Sequence, residues 1–154
     1  MDIGLSQVKT NWFLIVVLSV VFTNCNRKTK NVVSNDCTFH FKVDAPFAMG
    51  VSDKACNTDL NIQIALDSVF DDSRCPEGVN CIWEGNAKMR FQLKTAKSQF
   101  RFDLDTQPTS NFYQHDTTIG GYRISLLQLS PYPVSENKIK QTDYAVEISV
   151  SPAS

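Results

Sequence analysis

From about residue 39 onward, apolar and polar side chains alternate with a period of two, the spacing of strands that bury one face. Leu60, Ile62, Ile64 and Leu66 alternate with Asn61, Gln63 and Ala65. Val69 then falls on the opposite parity, which predicts a bulge near Asp67 and Ser68. Ala87, Met89, Phe91 and Leu93 alternate with Lys88, Arg90, Gln92 and Lys94. Phe100, Phe102 and Leu104 follow across a hairpin loop at Thr95-Ala96-Lys97-Ser98. Gly120-Gly121 can take the positive φ of a tight turn, and Tyr122, Ile124 and Leu126 continue on one face. Pro131-Tyr132-Pro133 ends that strand, because proline cannot donate to a ladder. Tyr144, Val146, Ile148 and Val150 form the last alternation; Phe39, Phe41 and Val43 form the first, with a weaker strand at Phe47–Val51. No segment carries a helical stripe. About seven or eight strands in one domain predict an all-β fold, a single antiparallel β-sandwich, with a small β-barrel as the alternative.

The N-terminal stretch breaks this pattern. Trp12 to Phe22 is apolar but for Ser19, about 11 positions against the roughly 20 of a bilayer-spanning helix, which suits the apolar region of a signal peptide. Lys9 supplies the positive charge ahead of it and Asp2 weakens that charge. Phe22-Thr23-Asn24-Cys25 resembles the bacterial lipobox, in a looser form known from the Bacteroidetes: Phe22 stands where a Leu-like residue is usual and Asn24 where a small one is usual. The resemblance implies that Cys25 is lipidated and becomes the first residue of the mature chain. Two or three acyl chains, at about 0.8 kcal/mol per buried methylene, would anchor it to a membrane. An ordinary secretory leader cut nearby would leave Cys25 an unpaired thiol, which an oxidising compartment disfavours. Asn26-Arg27-Lys28-Thr29-Lys30-Asn31 is polar and basic and reads as a short tether holding the domain off the headgroups. The expected organisation is a lipoprotein signal peptide at 1–24, an anchored N-terminus and tether at 25–36, and a β-sandwich domain at 37–154. Surface-export signals in such lipoproteins are acidic after the cysteine. A basic tether instead implies an outer-membrane lipoprotein facing the periplasm.

The 130 residues from Cys25 to Ser154 suit one domain with a real core. Fifteen Lys and Arg against sixteen Asp and Glu leave no basic stripe, which argues against nucleic acid as a partner. Setting Cys25 aside, Cys37, Cys56, Cys75 and Cys81 remain, an even count that suggests two disulfides with three possible connectivities. The short loop holding Pro76 and Gly78 favours Cys75–Cys81 and leaves Cys37–Cys56 by elimination. So small a loop gains less than the usual ~2–4 kcal/mol from its bridge, whose main effect is on loop shape.

The densest segment runs from Asp71 to Ala87. Asp72-Ser73-Arg74-Cys75-Pro76, a short gap, and then Cys81-Ile82-Trp83-Glu84-Gly85 ahead of a strand resembles the pattern of a largely uncharacterised family of small exported bacterial lipoproteins. Val69, Ala87 and Leu129-Ser-Pro-Tyr-Pro133 also agree with it, and Glu84 departs from it, since a small residue is common there. The likeness spans about Leu60 to Val150. It implies a compact β domain and brings no reaction, ligand or catalytic residue with it.

The residues themselves point first to a stapled turn. Asp72 and Ser73 can accept backbone N–H bonds, Pro76 and Gly78 reverse the chain, and Arg74 can pair with Asp71, Asp72 or Glu84. Trp83 has the size to cover the disulfide and seal one end of the core. The functional reading is a recognition loop with Glu77, Val79 and Asn80 at its tip, since a constrained loop loses less entropy on binding. Redox exchange at Cys75 and Cys81 is disfavoured, because the spacing is not Cys-x-x-Cys. Asp67, Asp71, Asp72, Glu77 and Glu84 are oxygen donors of the kind calcium takes, with Asp71 and Asp72 the candidates, although no EF-hand spacing is present. His40 and His115 have no second histidine at ligand spacing, and Met49 and Met89 read as core fillers.

No nucleophile elbow, phosphate loop or His-Glu-x-x-His is present, and Ser110, His115 and Asp116 are neighbours in sequence without implying a triad. Tyr113, Tyr122, Tyr132 and Trp83 are too few as spare aromatics for a sugar platform, since Tyr122 falls on a core face. The expectation is a non-enzymatic envelope lipoprotein without a cofactor, held to the membrane through Cys25, whose domain binds another envelope protein. The alternative is a ligand- or calcium-binding β domain using the turn at Asp71 and Asp72.

Overall fold

The computed structural model describes residues 36–108, 110–134 and 138–153. The leader at 1–24, Cys25 and the tether up to residue 35 lie outside the described residues. Among the described residues nine strands form: β1 (Phe39–His40), β2 (Phe47–Gly50), β3 (Lys54–Asn57), β4 (Ile62–Phe70), β5 (Lys88–Lys94), β6 (Gln99–Asp105), β7 (Asp116–Ile119), β8 (Tyr122–Ser130) and β9 (Ala145–Pro152). They make a five-stranded sheet, β1-β3-β4-β5-β6, and a four-stranded sheet, β2-β9-β8-β7. The fold is an all-β sandwich and not a closed barrel, antiparallel throughout except for the β1–β3 pair, which is parallel.

The alternating residues do what their period dictates. Ile62, Ile64 and Leu66 of β4 and Met89, Phe91 and Leu93 of β5 turn inward against Ile124 and Leu126 of β8 and Val146, Ile148 and Val150 of β9. Complete burial of such a side chain contributes about 1.5–3 kcal/mol. Phe91 and Phe102 are register partners on β5 and β6 and stack at 5.5 Å, a favourable cross-strand pair. The bulge expected near Asp67 lies between Leu66 and Ser68. A second bulge, between Leu126 and Gln128, leaves Leu127 exposed and returns Leu129 to the core.

The strand count exceeds the expected seven or eight. β3 was hidden because Lys54-Ala55-Cys56-Asn57 carries no run of large apolar residues. Its burial comes instead from Cys56, bridged to Cys37, and from Asn57, whose Nδ2 donates to the Phe41 carbonyl at 3.1 Å. β7 is a short polar edge strand, Asp116-Thr117-Thr118-Ile119. β1 stops at His40, before the expected Phe41 and Val43.

The strand registers sort the connections into two ends. One end carries the described parts of connections 51–53, 71–87, 106–115 and 131–144, while residues 36–38 lead into β1 beside the middle of β4. The opposite end carries 41–46, 58–61, 95–98 and 120–121. Side chains lock the sheets together at the first end: Gln141 donates to the Val69 carbonyl at 2.5 Å and accepts from its N–H at 3.0 Å. We call this the loop end.

Candidate interaction surface

The β4–β5 connection is not a slack loop. The Ser73 N–H donates to the Asn86 carbonyl at 2.7 Å and the Cys75 N–H to the Glu84 carbonyl at 2.8 Å, so the two strands continue outward as a narrow arm. The Cys75–Cys81 disulfide closes its tip, with Cα atoms 6.0 Å apart. Val79 N–H donates to the Pro76 carbonyl within the closed loop, and Glu77 N–H reaches the Pro133 carbonyl of the β8–β9 connection at 2.7 Å. Asp72 and Ser73 shape the arm as expected: Asp72 Oδ1 accepts from Arg74 N–H, and Ser73 Oγ accepts from Asn86 N–H, each at 3.3 Å.

Arg74 roots the arm in the sandwich. It is 8% exposed and uses its whole donor fork. Nε and Nη2 bind the two oxygens of Asp72 at 2.9 and 2.7 Å, Nη1 donates to the Leu129 carbonyl at 3.0 Å, and Nη2 donates to the Pro131 carbonyl at 2.9 Å. Its carbon centre lies 5.4 Å from the centroid of the Tyr132 ring. Of the three carboxylates offered by the sequence, the structure selects Asp72. A bidentate, charge-assisted pair with its remaining donors satisfied can sit in a buried place that an unpaired guanidinium could not.

Tyr144, 72 positions from Asp72, completes the cluster by donating its hydroxyl to Asp72 Oδ2 at 2.8 Å. Burial alone would raise the Asp72 carboxyl. The hydrogen bonds from Arg74 and Tyr144 and the Arg74 charge outweigh it and hold Asp72 below the ordinary carboxylate value. Burial, and then the bond to Asp72 and its charge, push the Tyr144 phenol up to about 12.

These shifts fix a pH dependence. Asp72 is depressed, so its contribution to stability is present above its unfolded value near 3.8 and is lost as pH falls through the lower folded value. Tyr144 is raised, so its contribution is present below 10 and is lost as pH climbs from 10 toward about 12. Denaturant midpoints of wild type and Tyr144→Phe should therefore converge across that alkaline window. Parallel curves there would contradict the assignment.

A cleft of about 520 Å³ flanks the cluster, lined in part by Phe70, Asp71, Lys138 and Gln141. Its inward polar groups, Asp72, Arg74 and Tyr144, are committed to one another. Calcium at this turn would have to take Asp72 from Arg74 and Tyr144. Among the described residues no group of three or more His, Cys, Asp or Glu is placed to hold a metal ion. His40 is exposed, as its strand parity implies. Ser110 Oγ accepts from the Phe112 and Tyr113 N–H groups, and His115 Nδ1 lies 3.0 Å from the Asp105 carbonyl.

Both disulfides have the favoured pairing, Cys37–Cys56 and Cys75–Cys81. Trp83 is the correction. It does not seal the core: it is 82% exposed, and Ile82 beside it is 104% exposed. The physical reason is that Arg74 at the root and the disulfide at the tip hold the arm without it, while Ile82 and Trp83 border an open cleft of about 310 Å³ beside Arg74 and the two cysteines. The residues beyond the Cys75–Glu84 pair then project outward.

The exposed apolar side chains gather. Val79, Ile82 and Trp83 stand on the arm, Phe112 and Tyr113 on the β6–β7 connection, and Tyr132 and Val134 on the β8–β9 connection. All seven lie at the loop end; among the described residues only Leu127, on β8, is elsewhere. Glu77, Val79 and Asn80, the expected tip, are exposed there as well. Sequence reading named Val79 but passed over Ile82, whose exposure had no signal in a strand-like alternation. No family model matches the chain, and no curated protein and no solved structure matches it either.

Proposed function

We propose that this chain is a non-enzymatic cell-envelope lipoprotein, a binding module that docks another envelope protein through the stapled loop. One observation carries the reading: Ile82 and Trp83 are held out to solvent on an arm that a disulfide closes and a buried Arg74 fixes. Folding gains nothing from exposing those side chains, and exposed large apolar side chains grouped at one end of a domain suit a contact site. A pre-ordered loop has little conformational entropy left to lose, and tryptophan is among the residues that most often dominate an interface. Two disulfides suit an oxidising compartment, in keeping with export and with a lipidated Cys25. The likeness of the arm's motif to small exported lipoproteins supports the same placement, on the outer membrane and facing the periplasm.

A photo-crosslinking residue at Asn80, used in cells, is expected to give one defined protein adduct. Absence of any specific adduct, there and at other surface positions, would contradict docking. Calcium or ligand binding at Asp71 and Asp72 is the second reading. It requires a rise in melting temperature at millimolar calcium that Asp72→Ala abolishes.

A further inference from the structure

We infer that the β6 edge of the five-stranded sheet pairs with the same edge of a second copy of this chain. The two sheets join as one antiparallel sheet about a two-fold axis at Phe102. The inference is independent of the stapled arm and of the reading of Cys25.

Among the described residues the sheets end in β1 and β6 on one side of the sandwich's pairing and in β2 and β7 on the other. β1 has two residues, and β2 and β7 have four each. β6 has seven, Gln99–Asp105, paired to β5 with no register shift and containing no proline. A long regular edge is a template for another strand, which is why edges are commonly short, bulged or marked by proline. The register says which backbone groups of β6 face outward. The Thr95 N–H donates to the Ser98 carbonyl at 2.8 Å, so these two are a hydrogen-bonded pair. Alternation along the antiparallel ladder then gives Phe100, Phe102 and Leu104 the bonds to β5. It turns the N–H and C=O of Gln99, Arg101, Asp103 and Asp105 away from β5. Asp105 bears out the parity, since its N–H donates outward to the Gln114 carbonyl at 2.7 Å. That bond covers the Asp105 end of the edge; Arg101 and Asp103 lie beyond it.

The side chains choose the occupant. In an antiparallel pair centred on Phe102, Arg101 of each copy stands directly opposite Asp103 of the other. Both point to the wet face of the sheet, where opposite charges facing each other attract and like charges repel. Arg101-Phe102-Asp103 is therefore self-complementary, as a two-fold contact between identical surfaces requires. Asp103 receives Arg90 on its two oxygens at 2.8 and 2.9 Å, and each oxygen has a lone pair left for a second guanidinium. The Arg101 side chain is 62% exposed, and its Nε stands 3.7 Å from Asp67, too far for a hydrogen bond. Across the joint the charges alternate in one row: Arg90, Asp103, then Arg101 of the second copy. Phe100, Phe102 and Leu104 keep their places against the core.

The test uses the full-length chain in cells, as two copies with different tags, each carrying a photo-crosslinking residue at the exposed Gln99. An adduct holding both tags is expected, its crosslink mapping to residues 101–105 of the other copy. Arg101→Asp or Asp103→Arg in both copies sets like charges opposite each other and should cut the mixed adduct about tenfold. Arg101→Asp in one copy with Asp103→Arg in the other makes every facing pair opposite in sign again and should restore it. Arg101→Pro removes an amide that takes no part in the β5 ladder, closes the edge and should abolish the adduct. Thermal unfolding of each purified variant shows that it is folded. Absence of a mixed adduct in wild type, adducts with other proteins alone, or a mixed adduct that survives Arg101→Pro would overturn the inference. Failure of the two folded charge-reversed copies to recover the adduct would overturn it as well.

Discussion

Replacing Arg74 with Ala is expected to lower the unfolding free energy by about 3–5 kcal/mol, the scale for removing one partner of a buried pair. The loss has three sources. Asp72 keeps a buried negative charge with only the Tyr144 hydroxyl and the backbone N–H of residue 74 beside it, and the Leu129 and Pro131 carbonyls lose their guanidinium donors. The packing of the guanidinium over Tyr132 also goes. Against a typical total of about 5–15 kcal/mol, such a loss brings the domain close to unfolding at physiological temperature. Arg74→Lys should recover only part of it, because a single ammonium cannot hold two carboxylate oxygens and two carbonyls in one plane. Arg90 and Asp103 form the natural control, a bidentate pair whose side chains are 43% and 37% exposed. Breaking it should cost under about 1 kcal/mol. Urea unfolding of the three variants decides the matter. An Arg74→Ala cost as small as that of Arg90→Ala would mean that the arm is not rooted through Arg74.

Gly85→Ala is the second large effect. Gly85 holds φ +73°, and a Cβ built there would stand 1.9 Å from the Ser73 carbonyl oxygen and 2.9 Å from Arg74 Cα. Backbone is what it meets, so no side chain can swing away. The left-handed conformation alone costs a non-glycine residue about 1–3 kcal/mol, and the clash forces apart the two strands of the arm. The amides of Ser73 and Cys75, which donate across the arm, should then lose protection from hydrogen exchange even in molecules whose core remains folded. Unchanged protection at both amides would contradict the close approach.

The large strands were legible because each buries one face, and a period of two survives in the sequence wherever that holds. β4, β5, β6, β8 and β9 all satisfy it, down to the bulge after Leu66. β3 and β7 escaped because one is buried through a disulfide and an amide and the other is a polar edge. At the candidate site the split is sharper. The stapling of Cys75 to Cys81 and the turn-forming Asp72 and Ser73 follow from local chemistry, whereas the need for glycine at 85 comes from the Ser73 carbonyl across the arm. The remote partners of the Arg74–Asp72 pair do not, since Leu129 and Pro131 lie 55 and 57 positions from Arg74, Tyr144 lies 72 from Asp72, and the first two act through backbone carbonyls that any residue could supply. Asp72-Ser-Arg-Cys-Pro76 and Leu129-Ser-Pro-Tyr-Pro133 meet at this point. One segment carries the arginine, and the other supplies the carbonyls and the ring that receive it.

Trp83 misled for an instructive reason. A tryptophan beside a disulfide is ordinarily read as cover, because burying so large a ring is favourable wherever space exists. Here Arg74 and the disulfide hold the arm without its help, and Trp83 and Ile82 are exposed together beside an open cleft.

The central claim is that Ile82 and Trp83 serve contact and not folding. It is tested most directly by the double variant Ile82→Ser/Trp83→Ser, carrying the photo-crosslinker at Asn80, with thermal unfolding and in-cell crosslinking measured on the same protein. The account predicts a melting temperature within a degree or two of wild type, since surface substitutions rarely exceed about 0.5 kcal/mol, together with loss of the crosslinked adduct. A large fall in melting temperature, or an adduct that survives both substitutions, would contradict it.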